Sequence, residues 1–137
     1  MVIFKGEKSL AVSRKNRPIG LALVGGFVDV GETCLEAAIR EIQEETYLNL
    51  EFYSFNLLPK LYDNPKRDER RHTVSAVYWV EIDDSLPSPV AGDDAKDLIW
   101  VERGQKLVFD HTDILERAWE EREKYREKVY ERYNPDI

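Results

Sequence analysis

The 137-residue sequence has a single cysteine, Cys34, and no long hydrophobic segment. One cysteine cannot form a disulfide within the chain, so nothing points to an oxidising compartment. No apolar run approaches the roughly 20 residues that span a bilayer, and the opening MVIFKGEKSL lacks the apolar stretch of a signal peptide. We therefore expect a cytoplasmic protein that does not use a membrane.

Basic residues are in deficit, because 20 lysines and arginines stand against 27 aspartates and glutamates, for a formal net charge of −7. Such a chain is not expected to bind nucleic acid or an anionic membrane through its overall field. If it handles an anionic small molecule, local cationic side chains or bound metal ions must supply the positive charge. The sequence has no internal repeat, low-complexity segment or linker, so residues 1–137 are predicted to form one domain.

The apolar pattern predicts short strands at residues 1–4, 9–14, 19–24, 48–61, 72–82 and 98–101. Residues 72–82 alternate most clearly and are predicted to be central, and Trp100 is predicted to be a core aromatic. Apolar residues at helical spacing predict a C-terminal helix over about residues 112–133, capped by Asp110 or Thr112. This order of elements predicts an α+β fold, an α/β/α sandwich with a central mixed sheet flanked by helices.

A second helix is predicted from Thr33, because Thr33 and Glu36 have the spacing of a capping box. We expect it to end at Thr46 or Tyr47. At about 100° per residue, one arc is apolar and the opposite arc is charged. The arc predicted to be buried consists of Leu35, Ala38, Ile39, Ile42 and Thr46, and the charged arc consists of Arg40, Glu41, Glu44 and Glu45.

The charged arc carries three glutamates, Glu41, Glu44 and Glu45, within one helical turn. A solvated acidic face is one interpretation, since such helices are common. The other is a metal site, because clustered carboxylates repel one another and offer the oxygen ligands that Mg²⁺ or Mn²⁺ prefers. Gly25 and Gly26 precede the helix and would let the backbone approach a ligand beside these carboxylates.

These residues match the pattern G-x5-E-x7-R-E-U-x-E-E-x-G-U, in which U is an aliphatic residue. Gly26, Glu32, Arg40-Glu41-Ile42 and Glu44-Glu45 stand at the required spacing, so the chain resembles the Nudix hydrolase family. It departs from the family in having Tyr47 in place of the final glycine and Val24 in place of a frequent proline. The first departure leaves the end of the helix in question.

The resemblance implies metal-dependent hydrolysis of the pyrophosphate bond in a nucleoside diphosphate linked to another group. Glu41, Glu44 and Glu45 would hold Mg²⁺ or Mn²⁺, with help from the carbonyl near Gly25 or Gly26. Arg40 would orient Glu44, and Glu32 would steady the start of the helix. Cys34 is expected to pack rather than act as a nucleophile.

Three further segments, residues 64–75, 92–101 and 109–115, resemble the ADP-ribose pyrophosphatase branch of the family. The substrate this implies is ADP-ribose, giving AMP and ribose 5-phosphate. Two alternatives remain open, a pyrophosphohydrolase for modified nucleoside triphosphates and a non-catalytic domain that senses a nucleotide.

Several residues outside the helix are candidates for the site. Asp94, and less strongly Asp93, is a candidate extra metal ligand or general base, because this family often delivers one from the loop before a late strand. The predicted substrate contacts are Arg14, Gly26, Phe27 and Arg71. For Arg14 and its neighbour Arg17 a solvent-facing position is an equal alternative, and residues 63–71 could equally be a solvated run of charges.

Two motifs near the site are expected to be structural. His72 is predicted to be a hydrogen-bonded residue at the start of a strand, and Asp110-His111 is predicted to cap the C-terminal helix. The far end of that helix extends beyond the expected core, which predicts a subunit contact and a homodimer.

Overall fold

The computed structural model describes residues 1–92 and 95–136. Over these residues the chain forms six strands and two helices. They are β1 (Val2–Lys5), β2 (Lys8–Arg14), β3 (Leu21–Leu23), α1 (Cys34–Thr46), β4 (Asn56–Tyr62), β5 (Ser75–Ile82), β6 (Ala95–Glu102) and α2 (His111–Tyr133). Neither helix, over the residues described, is long and apolar enough to cross a membrane.

The six strands form one mixed sheet in the order β3-β2-β1-β5-β4, with β6 also paired to β2. β1 and β5 run parallel, with Val2 opposite Trp79, and the other pairs are antiparallel. Along one edge of β2, β1 pairs with the first residues and β3 pairs with the later residues. β6 pairs along the other edge of β2. The prediction of a mixed sheet with an interior β5 is confirmed.

The two faces of the sheet carry separate hydrophobic clusters. Alternation along β1 sends Phe4 into the cluster that packs under α2, whereas Ile3 enters the cluster that packs under α1. Phe4 lies edge-on to Trp119 of α2, with ring centroids 5.2 Å apart. Helices therefore lie on both faces of the sheet, which is the predicted sandwich. Trp100 is half-buried and packs on the α1 side.

α1 begins and ends where the sequence predicts. The Thr33 hydroxyl accepts from the Glu36 amide at 3.1 Å, and the Glu36 carboxylate accepts from the Thr33 amide at 3.0 Å. Tyr47 is the C-cap and has left-handed backbone angles, φ 59° and ψ 15°.

The prediction that Leu35 is buried is wrong. The first turn of α1 lies outside both core clusters, and Ala37 is the first residue of the helix to be buried. The buried stripe is Ala37, Ala38, Ile42 and Thr46, and Ile39 is only partly covered.

Several strands are shorter than their apolar runs. Only Leu21–Leu23 of residues 19–24 is a strand, and of residues 48–61 only those from Asn56 onward are. The pairing register of β4 shifts between Leu57 and Leu61, around Pro59, because proline has no amide hydrogen to contribute to the ladder. β5 begins at Ser75 rather than at residue 72.

α2 is buried over its first half only. Its buried residues end at Arg122, whose side chain is 2% exposed and whose Nε donates to Glu81 at 2.5 Å. Tyr125, Val129 and Tyr133 continue the apolar spacing but are exposed, although Tyr125 still lies edge-on to Trp79 of β5, with ring centroids 5.5 Å apart. The helical period therefore extends beyond the core.

Candidate active site

A cavity of about 640 Å³ opens between the glycine turn, α1, the segment before β5, and the start of α2. Its volume falls within the range of about 300–1,000 Å³ that is usual for small-molecule sites. Of the predicted site residues described by the structure, Gly25, Gly26, Phe27, Arg14, Glu41 and Glu45 line it.

Arg40 joins the loop before α1 to the carboxylates of the helix. Its Nη2 donates to Glu32 Oε1 at 2.7 Å and to the Phe27 carbonyl at 2.8 Å. Its Nη1 donates to Glu41 at 2.7 Å and to Glu44 at 3.2 Å. The hydrogen bond from Arg40 lowers the pKa of Glu32, so Glu32 stays ionised and holds the loop and helix in register.

Glu41 is packed against the backbone of Gly26. A Cβ added at Gly26 would overlap the Glu41 carboxylate, so only glycine permits this approach. The Glu41 side chain is 14% exposed, and burial raises its pKa against the opposing effect of Arg40. A partly desolvated carboxylate of this kind gains from a nearby cation.

Glu45 and Glu44 lie differently, although they are adjacent. Glu45 Oε2 accepts from the Gly25 amide at 3.3 Å and lines the cavity. Glu44 is not in the cavity lining, its side chain is 48% exposed, and it is held by Arg40. Arg40 Nη1 donates to both Glu41 and Glu44, so these two carboxylates lie close together, although Glu41 and Glu45 line the cavity and Glu44 does not.

Among residues 1–92 and 95–136, no three acidic, histidine or cysteine side chains lie together as a set of metal ligands. The donors at the glycine turn nevertheless suit a hard divalent ion, because the carboxylates of Glu41 and Glu45 both meet the Gly25–Gly26 backbone. Mg²⁺ commonly takes one or two carboxylates and completes its shell with water and substrate phosphate. Asp93 and Asp94 lie outside the described residues.

Part of the cavity lining is cationic and aromatic. Arg14 belongs to it and donates from Nε to the Pro18 carbonyl at 2.9 Å. The guanidinium groups of Arg14 and Arg70 lie 5.0 and 5.2 Å from the centroid of the Phe109 ring. Arg17 is not in the lining and contributes its carbonyl to Arg14.

Phe27 and Arg71 form a stacked pair at the rim. The Arg71 guanidinium lies 4.4 Å from the centroid of the Phe27 ring, and Phe27 is exposed. Phe27 lines the cavity and Arg71 does not. Arg71 therefore contacts the site through the Phe27 ring.

Within residues 63–71, Arg67 and Asp68 are largely covered, whereas the other residues are exposed. The Arg67 side chain is 6% exposed and makes paired hydrogen bonds to Asp110 at 2.8 and 2.9 Å. Its Nη1 also donates to Thr73 and Ser75, at 2.9 and 2.8 Å. Asp110 is the N-cap residue of α2, but its side chain makes no capping bond because Arg67 holds it. Asp110 therefore occupies the predicted N-cap position, but its side chain does not supply the capping hydrogen bond.

His111 begins α2 and also lines the cavity. Its Nδ1 accepts from the Leu23 amide at 3.0 Å. Cys34, predicted to pack, is exposed and also lines the cavity. His72 is hydrogen-bonded to the Asp63 carbonyl at 2.9 Å, as predicted.

Residues 1–126 match the family model described as NUDIX domain. An ADP-ribose pyrophosphatase of Methanocaldococcus jannaschii is 40% identical over 124 residues, covering 83% of this chain and 67% of the relative.

Two solved structures have the same fold. A bifunctional NMN adenylyltransferase/ADP ribose pyrophosphatase of Francisella tularensis, complexed with AMP and a manganese ion, is 33% identical with a TM-score of 0.74. The match covers 88% of this chain but only 39% of that protein. The NUDIX domain of Shewanella oneidensis NrtR, complexed with ADP ribose, is 26% identical with a TM-score of 0.75, over 88% of this chain and 83% of that one.

Proposed function

The chain belongs to the Nudix family, and from that premise we propose that it hydrolyses ADP-ribose to AMP and ribose 5-phosphate. The observation that carries the proposal is the placement of Glu41 and Glu45 against the Gly25–Gly26 backbone, in the lining of a cavity that also includes arginines. The family match and the ADP-ribose pyrophosphatase relative support the function predicted from the sequence.

The cationic and the acidic residues of the cavity lining have different roles. Arg14 and Lys15 line the same cavity as the glutamates, so an anionic diphosphate bound there meets positive charge. Arg40 fixes the position of Glu41 through a 2.7 Å bond, and Glu32 fixes Arg40 in turn. The carboxylates are therefore positioned before substrate arrives, and little reorganisation is needed during the reaction.

Glu41, Glu44 and Glu45, with the backbone at Gly25, are the residues proposed to hold divalent metal, Mg²⁺ or Mn²⁺. When bound, such ions neutralise pyrophosphate charge and lower the pKa of coordinated water. Glu44 would join the other two by exchanging its contact with Arg40, which keeps Glu32, Glu41 and the Phe27 carbonyl as partners.

The direct test is to incubate the protein with ADP-ribose and either metal and identify the products by chromatography and ³¹P NMR. AMP and ribose 5-phosphate are expected. Glu45→Gln should lower kcat/KM by at least about 100-fold, because it removes a charged oxygen donor from the glycine turn. Glu127→Gln, the same change on an exposed part of α2, is the matched control and should leave turnover unchanged.

The test also separates the alternatives. Release of pyrophosphate from a modified nucleoside triphosphate, with ADP-ribose left intact, would replace the proposal by a triphosphate pyrophosphohydrolase. Binding of ADP-ribose with no turnover under either metal would favour a nucleotide-sensing domain. Equal turnover by the wild type and Glu45→Gln would remove the proposed metal site.

A further inference from the structure

His111 occupies a wall of the cavity at the first position of α2. Its ring lies against Phe109, with centroids 5.0 Å apart, and against the backbone of β3 at Leu23. Leu23 is two residues before Gly25, whose amide contacts Glu45. The imidazole is therefore close to the part of the cavity where the two glutamates meet the glycine turn.

The hydrogen bond from Leu23 determines which ring nitrogen carries the proton. An amide N–H can donate only to a ring nitrogen that has a free lone pair, so Nδ1 of His111 is unprotonated. A neutral imidazole has one N–H, and here that N–H belongs to Nε2. Within residues 1–92 and 95–136, Nε2 makes no hydrogen bond.

The surroundings keep this ring neutral. Burial lowers the pKa of His111 to about 3, and the amino group of Met1 and the guanidinium groups of Arg67 and Arg14 act in the same direction. Asp110 opposes them, but its carboxylate is engaged by Arg67. Because the pKa is lowered, the neutral form persists as the pH falls through the ordinary range of histidine.

The ring is also held in place from both sides. The Leu23 amide fixes one edge of the imidazole. Asp110, the preceding residue, is joined by two hydrogen bonds to Arg67, which in turn binds Thr73 and Ser75. His111 thus presents a donor in a fixed direction at the wall of the cavity.

We propose that His111 contacts the substrate directly, donating a hydrogen bond from Nε2 to a phosphoryl oxygen of the diphosphate. The inference rests on the proposed function, which supplies the diphosphate. A phosphoryl oxygen is the expected acceptor because Arg14 and Arg67 line the same part of the cavity and favour an anion there. A neutral donor adds direction to that attraction without a change of protonation.

The protonation state can be measured without any turnover. The sequence has two histidines, so long-range ¹H–¹⁵N correlation spectra of wild type and His72→Asn assign both rings. His111 should keep an unprotonated Nδ1 and a protonated Nε2 between about pH 5.5 and 8.5. An Nδ1–H tautomer, or an imidazolium within this range, would overturn the inference.

The contact itself is tested by His111→Asn, whose amide oxygen can still accept from the Leu23 amide while the Nε2 donor is lost. NMR titration in the presence of a metal chelator, with AMP and with adenosine, gives the two affinities. AMP binding should weaken by about tenfold, as for loss of a hydrogen bond to a charged group, and adenosine binding should not change. His72→Asn is the matched control, because His72 lies outside the cavity lining.

Three results would count against the inference. If His111→Asn binds AMP as tightly as the wild type does, His111 does not contact the phosphate. If the binding of AMP and of adenosine weakens equally, His111 contacts the nucleoside instead of the phosphate. If the melting temperature of His111→Asn falls enough to explain the loss of AMP binding, His111 has a structural role. In that case His111→Gln, which carries an N–H donor at a similar reach, should fail to restore AMP binding. Failure of the wild type to hydrolyse ADP-ribose, with AMP binding still weakened in His111→Asn, overturns the proposed function alone.

Discussion

At the scale of single residues, Gly26 controls where a carboxylate can lie. The Glu41 carboxylate occupies the space that a Cβ at position 26 would fill. Because the obstacle is the end of a flexible side chain and not the backbone, Gly26→Ala is expected to move Glu41 with little loss of stability. A displacement on this scale is expected to reduce kcat by roughly 10- to 100-fold.

Steady-state kinetics and thermal melting of Gly26→Ala check this expectation together. Gly25→Ala is the informative comparison, because a Cβ there would meet nothing within 4 Å. The loss of kcat in Gly25→Ala should be much smaller than the loss in Gly26→Ala. Similar losses in both variants would show that backbone freedom at the turn, and not the space beside Glu41, is what the reaction needs.

Tyr47 departs from the family pattern at a position where glycine would be favoured. It ends α1 with φ 59°, a left-handed conformation that costs an L-residue about 1–2 kcal/mol. Its side chain is exposed, so little packing compensates for that cost. The helix ends where a glycine would end it, because the Tyr47 amide still donates to the Gln43 carbonyl at 2.9 Å.

Tyr47→Gly should therefore raise the free energy of unfolding by about 0.5–1 kcal/mol, after allowing for the greater freedom of glycine in the unfolded chain. Denaturant titration measures the change, and ADP-ribose turnover should remain as in the wild type. Tyr47→Ala is the control, because alanine keeps the Cβ and the strain. An equal increase in the free energy of unfolding in Tyr47→Ala would show that the effect comes from removal of the aromatic ring.

At the scale of elements, the features that depend on neighbours in sequence could be predicted and those that depend on distant partners could not. α1 was predicted because its capping box and its Arg40–Glu44 pair are local interactions. His111 and Leu23 are 88 residues apart, and Arg67 and Asp110 are 43 apart. Sequence periodicity gives no information about such distant pairs, so the sequence predicts only some of the cationic residues of the site.

For a related reason, the sequence does not determine which of the three helix glutamates line the cavity. Helical spacing places Glu41, Glu44 and Glu45 on one arc, but it does not say which of them an arginine will hold. Arg40 has enough donors to bind Glu32, Glu41 and Glu44 together. Local geometry therefore predicts which acids lie on this face of the helix, but not which of them line the cavity.

The segment before β5 has a pH-dependent contribution to stability. Asp68 is buried, and its hydrogen bonds from Arg70, at 2.8 and 3.0 Å, lower its pKa to about 2. The contribution of a carboxyl with a lowered pKa is present above its unfolded value of 3.8 and is lost as the pH falls through about 2. Near pH 5 it should be on the order of 2 kcal/mol.

Asp68→Asn should consequently destabilise the protein by about that amount at pH 5, and the gap from the wild type should narrow as the pH is lowered toward 2. Denaturant titrations at a series of pH values give both curves. Glu69→Gln, at the exposed neighbouring position, should follow the wild type throughout. A gap that stays constant with pH would mean that Asp68 acts by packing and not by its charge.

At the scale of the whole molecule, the two hydrophobic clusters cover both faces of the sheet, and the second half of α2 meets the sheet near its start, where Tyr125 packs on Trp79 and Arg126 pairs with Glu81. The buried residues of α2 end at Arg122, and Tyr125, Tyr130 and Tyr133 beyond it are exposed. Large contiguous apolar patches on a protein surface mark interaction sites. This is the physical basis for the homodimer predicted from the sequence.

The prediction is a dimer of the 16.0 kDa chain that forms through the far half of α2. Light scattering after size-exclusion chromatography, over about 10 to 500 µM protein, should give twice the chain mass, because standard interfaces are stable at such concentrations. Tyr130→Ser combined with Tyr133→Ser should shift the protein to monomer without lowering kcat, since both residues lie outside the cavity lining. Phe52→Ser, at a more exposed aromatic elsewhere, is the control and should leave the dimer intact. A wild type that is monomeric over the whole range would refute the dimer and leave the α2 aromatics as exposed surface.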